Sequence, residues 1–180
     1  MDQELDRILA DDYLDGIADR TVVEVRALRD ECQAVETQLS YLRRLVQGRH
    51  DIATGELDRR RHGGAPGDVA DLVDRLPTIL ADRIHAPGPG RLPASMEPGE
   101  LTGRLVVELS GITEAASLDA PDGVTDGDLA RAGEQLAALE LEVSSLRRLL
   151  FDRIDTLQAE LTRRYRDGET TVDDLLSGRD

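Results

Sequence analysis

Two stretches of this chain set apolar side chains alternately three and four residues apart, and few folds satisfy that spacing. The first runs Val25, Leu28, Cys32, Val35, Leu39, Leu42 and Val46; the second runs Leu129, Ala132, Leu136, Leu139, Val143, Leu146 and Leu150. Each is an a/d heptad seam, a stripe too narrow to be buried well by anything but another helix. Thr21 with Glu24 forms a capping-box pattern, and Gly63-Gly64 before Pro66 is a stop. The first helix is therefore predicted to reach about Arg61, a length of ~60 Å. Beyond Val46 the pattern weakens, because Arg49 and Ala53 take seam positions and Gly55 disfavours helix. Thr125 or Asp126 caps the second helix, and Asp167-Gly168 ends it.

The fold these seams predict is all-α: a long antiparallel two-helix coiled coil with short flanking helices and a Pro/Gly-rich linker. Residues 1–20 form a short acidic helical segment, 21–62 the first seam helix, 63–126 a connecting segment, 127–167 the second seam helix and 168–180 an acidic tail. Within the connection, Asp68 to Arg83 reads as amphipathic, HAPGPGRLPASMEP over 85–98 as linker, and Leu101 to Leu118 as a short helix interrupted at Gly111. Antiparallel pairing is the simplest choice, although a crossover this long also permits a parallel pair. Aromatic residues make up only 2% of the chain and Trp is absent, so a globular core filled by large rings is excluded.

A net charge of −15 repels a nucleic-acid backbone and an anionic bilayer alike, and a basic protein partner is the better electrostatic match. Cys32 is the only cysteine, so neither an intramolecular disulfide nor a thiolate metal site can form; at a seam position it serves as a small hydrophobe. The start MDQELDRILADD lacks the basic and apolar regions of a signal peptide, and no apolar run approaches the ~20 residues a membrane helix needs. The cytoplasm is the expected compartment. His50, His62 and His85 have no metal-ligand spacing, and no Ser/His/Asp set or phosphate-binding glycine loop is present. No catalytic residue, metal or catalytic cofactor is expected.

The two helices share more than their periodicity. ETQLSYLRRLVQGRHD, from Glu36 to Asp51, recurs as ELEVSSLRRLLFDRID, from Glu140 to Asp155, at an offset of 104 with eight of sixteen positions identical. Six of those identities are polar: Glu36/Glu140, Ser40/Ser144, Arg43/Arg147, Arg44/Arg148, Arg49/Arg153 and Asp51/Asp155. A helical core repeats its apolar positions and lets its solvated faces drift, so a repeated polar pattern points to a repeated contact.

At ~100° per residue, Glu36, Ser40, Arg43, Gln47 and Asp51 fall within about 80° of one another, on a stripe that follows e and b positions beside the seam. In an antiparallel pair, e positions flank e positions. Both stripes are thus predicted on one side of the ridge, related by a pseudo-two-fold axis, where they form a shallow polar groove. Its groups suit different parts of a guanine nucleotide: Arg stacks on a base or binds its O6/N7 edge or a phosphate, Asp and Glu accept from the N1–H and N2–H₂ edge, and Ser completes a phosphate or ribose contact. Arg44 and Arg148, at f positions, lie farther round toward solvent. The same residue types at spacings of three and four also make an ordinary solvated face with intrahelical pairs. A structural scaffold coiled coil without a small-molecule ligand is accordingly the alternative reading.

Written as E-x3-S-x2-R-x3-Q-x3-D, the first copy is complete, with Glu36, Ser40, Arg43, Gln47 and Asp51. This pattern resembles the ligand signature of the RsiG family, actinobacterial anti-sigma factors that bind cyclic di-GMP. The resemblance implies an antiparallel coiled coil with one motif on each helix, a dimer of cyclic di-GMP seated against it, and sequestration of a WhiG-like sporulation sigma factor in a one-to-one complex when loaded. Carried to the second copy, the motif gives Glu140, Ser144, Arg147 and Asp155, while Phe151 stands where the pattern has Gln. Phe151 either stacks on a base or packs against the ridge, packing being the plainer role.

Overall fold

In a computed structural model, which describes residues 2–63, 103–119 and 121–168, every regular element is helical. Four α-helices are present among them: α1 (Asp2–Leu9), α2 (Val22–Arg61), α3 (Arg104–Ala115) and α4 (Asp126–Arg166). The amphipathic stretch expected at 68–83, the linker at 85–98 and the tail beyond 168 lie outside the described residues.

Local chemistry sets the ends of α2 and α4. The Thr21 side chain accepts from the Glu24 amide at 3.2 Å while the Glu24 carboxylate accepts from the Thr21 amide at 2.7 Å, a complete capping box. Thr125 caps α4 in the same way through the Asp128 amide at 3.1 Å. Each helix closes with several Arg in its last turn, which suits the negative end of the helix dipole. Gly55 does not stop α2, because Ala53 and Leu57 on either side of it are buried and hold that turn to the core.

α2 and α4 pack antiparallel along their length. Arg26 reaches Tyr165, Arg29 reaches Gln158 at 3.3 Å, Thr54 faces Gly133, and Arg60 meets Asp126 at 2.8 Å. Between them the seam is closely packed: Val25, Cys32, Val35, Leu39, Leu42, Val46, Leu129, Leu136, Val143 and Leu150 are fully buried, with Leu28 and Leu146 partly so. Each buried Leu or Val contributes about 1.5–3 kcal/mol relative to exposure. Past Ala53 and Leu150 the contact shifts to Leu57, Leu157 and Leu161, so Arg49 and Arg153 leave the core at their d positions. Arg153 donates to the Leu9 and Ala10 carbonyls at the end of α1, and Arg49 pairs with Asp119 just beyond α3.

The short helices cover one flank. Arg7 and Tyr13 engage Glu31, and Arg104 engages Glu142, both acceptors at g positions. Leu5, Ile8 and Tyr13 from the first segment and Leu105, Leu109 and Ile112 from α3 are buried there. α3 runs through Gly111 without a break; Ile112 and Leu109 anchor it on the core, so the expected interruption does not occur. Its chain reversal uses Ser117 in the left-handed region at φ 44°, which buries Leu118 and presents Asp119 to Arg49. α1 and α3 meet where the Asp2 carboxylate accepts from the Arg104 amide at 2.8 Å. Gly103, at φ 131°, allows that approach, since a Cβ there would strike the carboxylate.

The offset of 104 extends well beyond the polar motif. It relates the N-caps Thr21 and Thr125, the 3₁₀ turns Ile17–Asp19 and Pro121–Gly123, and the starts of α2 and α4. It also relates ELDRR, from Glu56 to Arg60, to ELTRR, from Glu160 to Arg164. Arg60 binds Glu56 at 2.7 Å and donates to the Pro121 and Val124 carbonyls at 2.8 and 2.6 Å. Arg164 binds Glu160 at 2.6 Å and donates to the carbonyls of Ile17, Ala18 and Arg20. Each long helix thus ends in a clamp on the turn that introduces the other. Hydrogen bonds from Arg59 and then Arg60 hold the Glu56 carboxyl down at about 2, and those from Arg163 and Arg164 do the same for Glu160.

Cys32 is fully buried with its Sγ 3.6 Å from the Tyr13 hydroxyl, and burial pushes the thiol pKa up. We expect thiol-specific alkylation of the folded protein to be far slower than that of the unfolded chain, and Cys32→Ala to cost about 1 kcal/mol by removing one buried atom. Rapid alkylation under native conditions would contradict this assignment.

Candidate functional site

The flank away from α1 and α3 carries the two polar stripes, and α2 and α4 bring them face to face. Arg147 gives Nε and Nη2 to one oxygen of Glu36 at 3.1 and 2.8 Å. The reciprocal pair, Arg43 Nη2 to Glu140, measures 3.3 Å. Since the offset of 104 turns Glu36 into Glu140 and Arg43 into Arg147, these are one contact seen twice about a pseudo-two-fold axis. The axis passes between the levels of Leu39 and Ser40 on α2 and of Val143 and Ser144 on α4.

Around this quartet the remaining motif residues fall into place. Ser40 donates to the Glu36 carboxylate at 2.5 Å, and the Gln47 amide donates to Glu140. Ser144 is half-buried beside the axis. Asp51 is half-buried with His50 Nδ1 3.9 Å away, whereas Asp155 is exposed. They stand at opposite ends of the groove, about 35 Å apart along the axis at 1.5 Å per residue. The structure therefore gathers Glu36, Ser40, Arg43, Gln47, Glu140 and Arg147 and leaves the two aspartates outlying. Arg44 and Arg148 are exposed on the outer surface. Phe151 is not packed into the ridge: it is 43% exposed, with the Arg147 guanidinium 5.5 Å over its ring.

The quartet is electrically neutral in a chain of charge −15, and its arginines are half-buried, with 37% and 19% of the Arg43 and Arg147 side chains exposed. An anion arriving here meets two guanidinium groups that can exchange a carboxylate for it. Arg43 is poised for that exchange, because its Nε is buried without an acceptor among the described residues, a state that costs about 1–3 kcal/mol. The same flank continues toward Arg26, which donates to the Tyr165 hydroxyl, and Arg29, which pairs with Asp30 at 2.8 Å and donates to Gln158. Among the described residues no group of His, Cys, Asp and Glu could hold a metal ion, and no helix is long and apolar enough to cross a membrane.

The clamps lie beyond Asp51 and Asp155, outside the sixteen-residue repeat. The same alignment carried nine residues further sets Glu56 opposite Glu160 and Arg60 opposite Arg164. These residues do not face the groove, but they fix the ends of the two helices that form it.

Fold and groove together define a pseudo-symmetric helical scaffold: two copies of a turn-and-long-helix unit in one chain, with a charged quartet straddling their pseudo-dyad. A sequence model of the RsiG-like family matches residues 11–80 and 116–179, one stretch on each copy, and the chain belongs to that family. Its class is accordingly that of an anti-sigma factor, whose partner is a sigma factor and whose role is regulatory rather than catalytic. No curated protein matches the chain.

Proposed function

We propose that this protein is a cytoplasmic anti-sigma factor that binds cyclic di-GMP, two molecules per chain, in the groove between α2 and α4. In the loaded state it sequesters a WhiG-like sigma factor one to one and represses transcription. The observation that carries this reading is the reciprocal pair Glu36–Arg147 and Glu140–Arg43, which puts both copies of the motif on one exposed flank with two-fold symmetry. A ligand with its own two-fold axis matches that arrangement. Carboxylates accept from the guanine N1–H and N2–H₂ edge while guanidinium groups take phosphate or the O6/N7 edge.

The same quartet would also serve a scaffold that only holds two helices in register. Calorimetric titration with cyclic di-GMP separates the two readings. Saturable binding of two molecules is expected, weakened at least about tenfold by Arg43→Ala or Arg147→Ala through loss of a charged hydrogen bond, and nearly unchanged by Arg44→Ala or Arg148→Ala. Absence of binding, with helix stability reduced by the first two substitutions, would favour the scaffold.

A further inference from the structure

The pseudo-dyad makes Arg43 and Arg147 equivalent in sequence, yet their bonds differ. Arg147 spends Nε and Nη2 on Glu36 and rests its guanidinium on Phe151. Arg43 approaches Glu140 through Nη2 alone at 3.3 Å, and its buried Nε has no acceptor among the described residues. The two surroundings differ at the one motif position where the copies diverge. Gln47 donates its amide to Oε1 of Glu140, the same oxygen that Arg43 approaches, so the carboxylate is shared and Arg43 stands off. In the other half Oε1 of Glu36 is shared as well, accepting from Ser40 at 2.5 Å and from Arg147; what differs there is Phe151, whose ring lies under the Arg147 cation.

We propose that Phe151 makes the two halves of the groove unequal, so that the half built from Arg43, Gln47 and Glu140 takes the first cyclic dinucleotide and the Arg147–Phe151 half takes the second at lower affinity. This rests on the reading of the groove as a nucleotide site. To bind a phosphate, Arg43 surrenders one long contact and can rotate its unpaired Nε toward an acceptor. Arg147 must surrender two hydrogen bonds to one oxygen and a cation–π contact, together more than the one long contact that Arg43 gives up. Gln47 also carries an amide whose donor, now on Glu140, would pass to a base edge on exchange, whereas Phe151 carries only a ring face.

The test uses the full chain and cyclic di-GMP, followed by calorimetry and by the ¹⁵N-resolved Nε–H resonances of the two arginines. Two steps separated by about tenfold are expected, the Arg43 resonance moving in the first and that of Arg147 in the second. Phe151→Gln, at a position exposed enough to leave the fold intact, restores the complete motif. It should bring the steps within about threefold of each other by tightening the second alone. Three results would overturn the inequality while leaving nucleotide binding standing: a single class of sites in the unmodified protein, a separation that survives Phe151→Gln, or movement of Arg147 first. No heat and no resonance shift in either protein would instead remove the nucleotide reading, and this inference with it.

Discussion

With a saturating WhiG-like sigma factor present, cyclic di-GMP is expected to bind roughly 10–100-fold tighter than to the protein alone, the usual span of a coupling between two sites. The groove explains why coupling should arise. Its arginines and glutamates pair across α2 and α4, so a ligand that replaces those pairs rebuilds the contact between the two helices at mid-length. A partner that grips both helices stabilises the same arrangement, and each then helps the other. Charge favours a basic partner, since the chain carries −15 and a sigma factor must present cationic surface to promoter DNA. Linkage requires that cyclic di-GMP tighten sigma binding by the same factor, which closes a thermodynamic box measurable by calorimetry along its four edges. Equal ligand affinity with and without sigma would exclude the coupling, and dissociation of the complex by ligand would reverse its sign.

Replacing Arg164 by Ala is expected to destabilise the fold by about 3 kcal/mol, because three backbone carbonyls and a carboxylate lose a buried charged donor together. Only 4% of this residue is exposed, and it bonds Ile17, Ala18 and Arg20 as well as Glu160. For a chain of this length the melting temperature should fall by roughly 10 °C. Arg60→Ala should cost less, as its side chain is 19% exposed and water can reach the groups it leaves. The clamps also predict a pH dependence. Glu56 and Glu160 are held at about 2, below their ordinary 4.5, so their contribution is complete above that ordinary value and is lost as pH falls toward 2. Melting curves between pH 6 and pH 2 should show this loss, and Glu160→Gln should flatten it. An unchanged slope in that variant would mean that the clamp does not couple to folding.

The elements of this fold were legible in the sequence wherever the signal is local. Alternating three and four spacings named both seams from Val25 to Val46 and from Leu129 to Leu150, and the Thr21–Glu24 pair marked a helix start later seen as a full capping box. The E-x3-S-x2-R pattern and its copy put the groove residues on one stripe beside the seam. That much follows from helical periodicity, which converts residue number directly into direction.

Direction of pairing did not follow, because an a/d seam is equally apolar read from either end. Tertiary contacts decided it, and with it the cross-helix exchange of Glu36 with Arg147 and of Glu140 with Arg43. The flank left uncovered was also a tertiary matter, since α1 and α3 chose theirs through Glu31 and Glu142, ordinary helix-surface residues in the sequence. Gly111 looked like a break until the core under Ile112 held the helix through it. The clamps were visible as a repeat but not as clamps, because the acceptors of Arg60 and Arg164 are mainly backbone carbonyls, which every residue has and no side-chain pattern announces. Sequence periodicity determined the helices and the faces they present; which faces meet, and what each polar group finds there, was settled only when the two copies packed together.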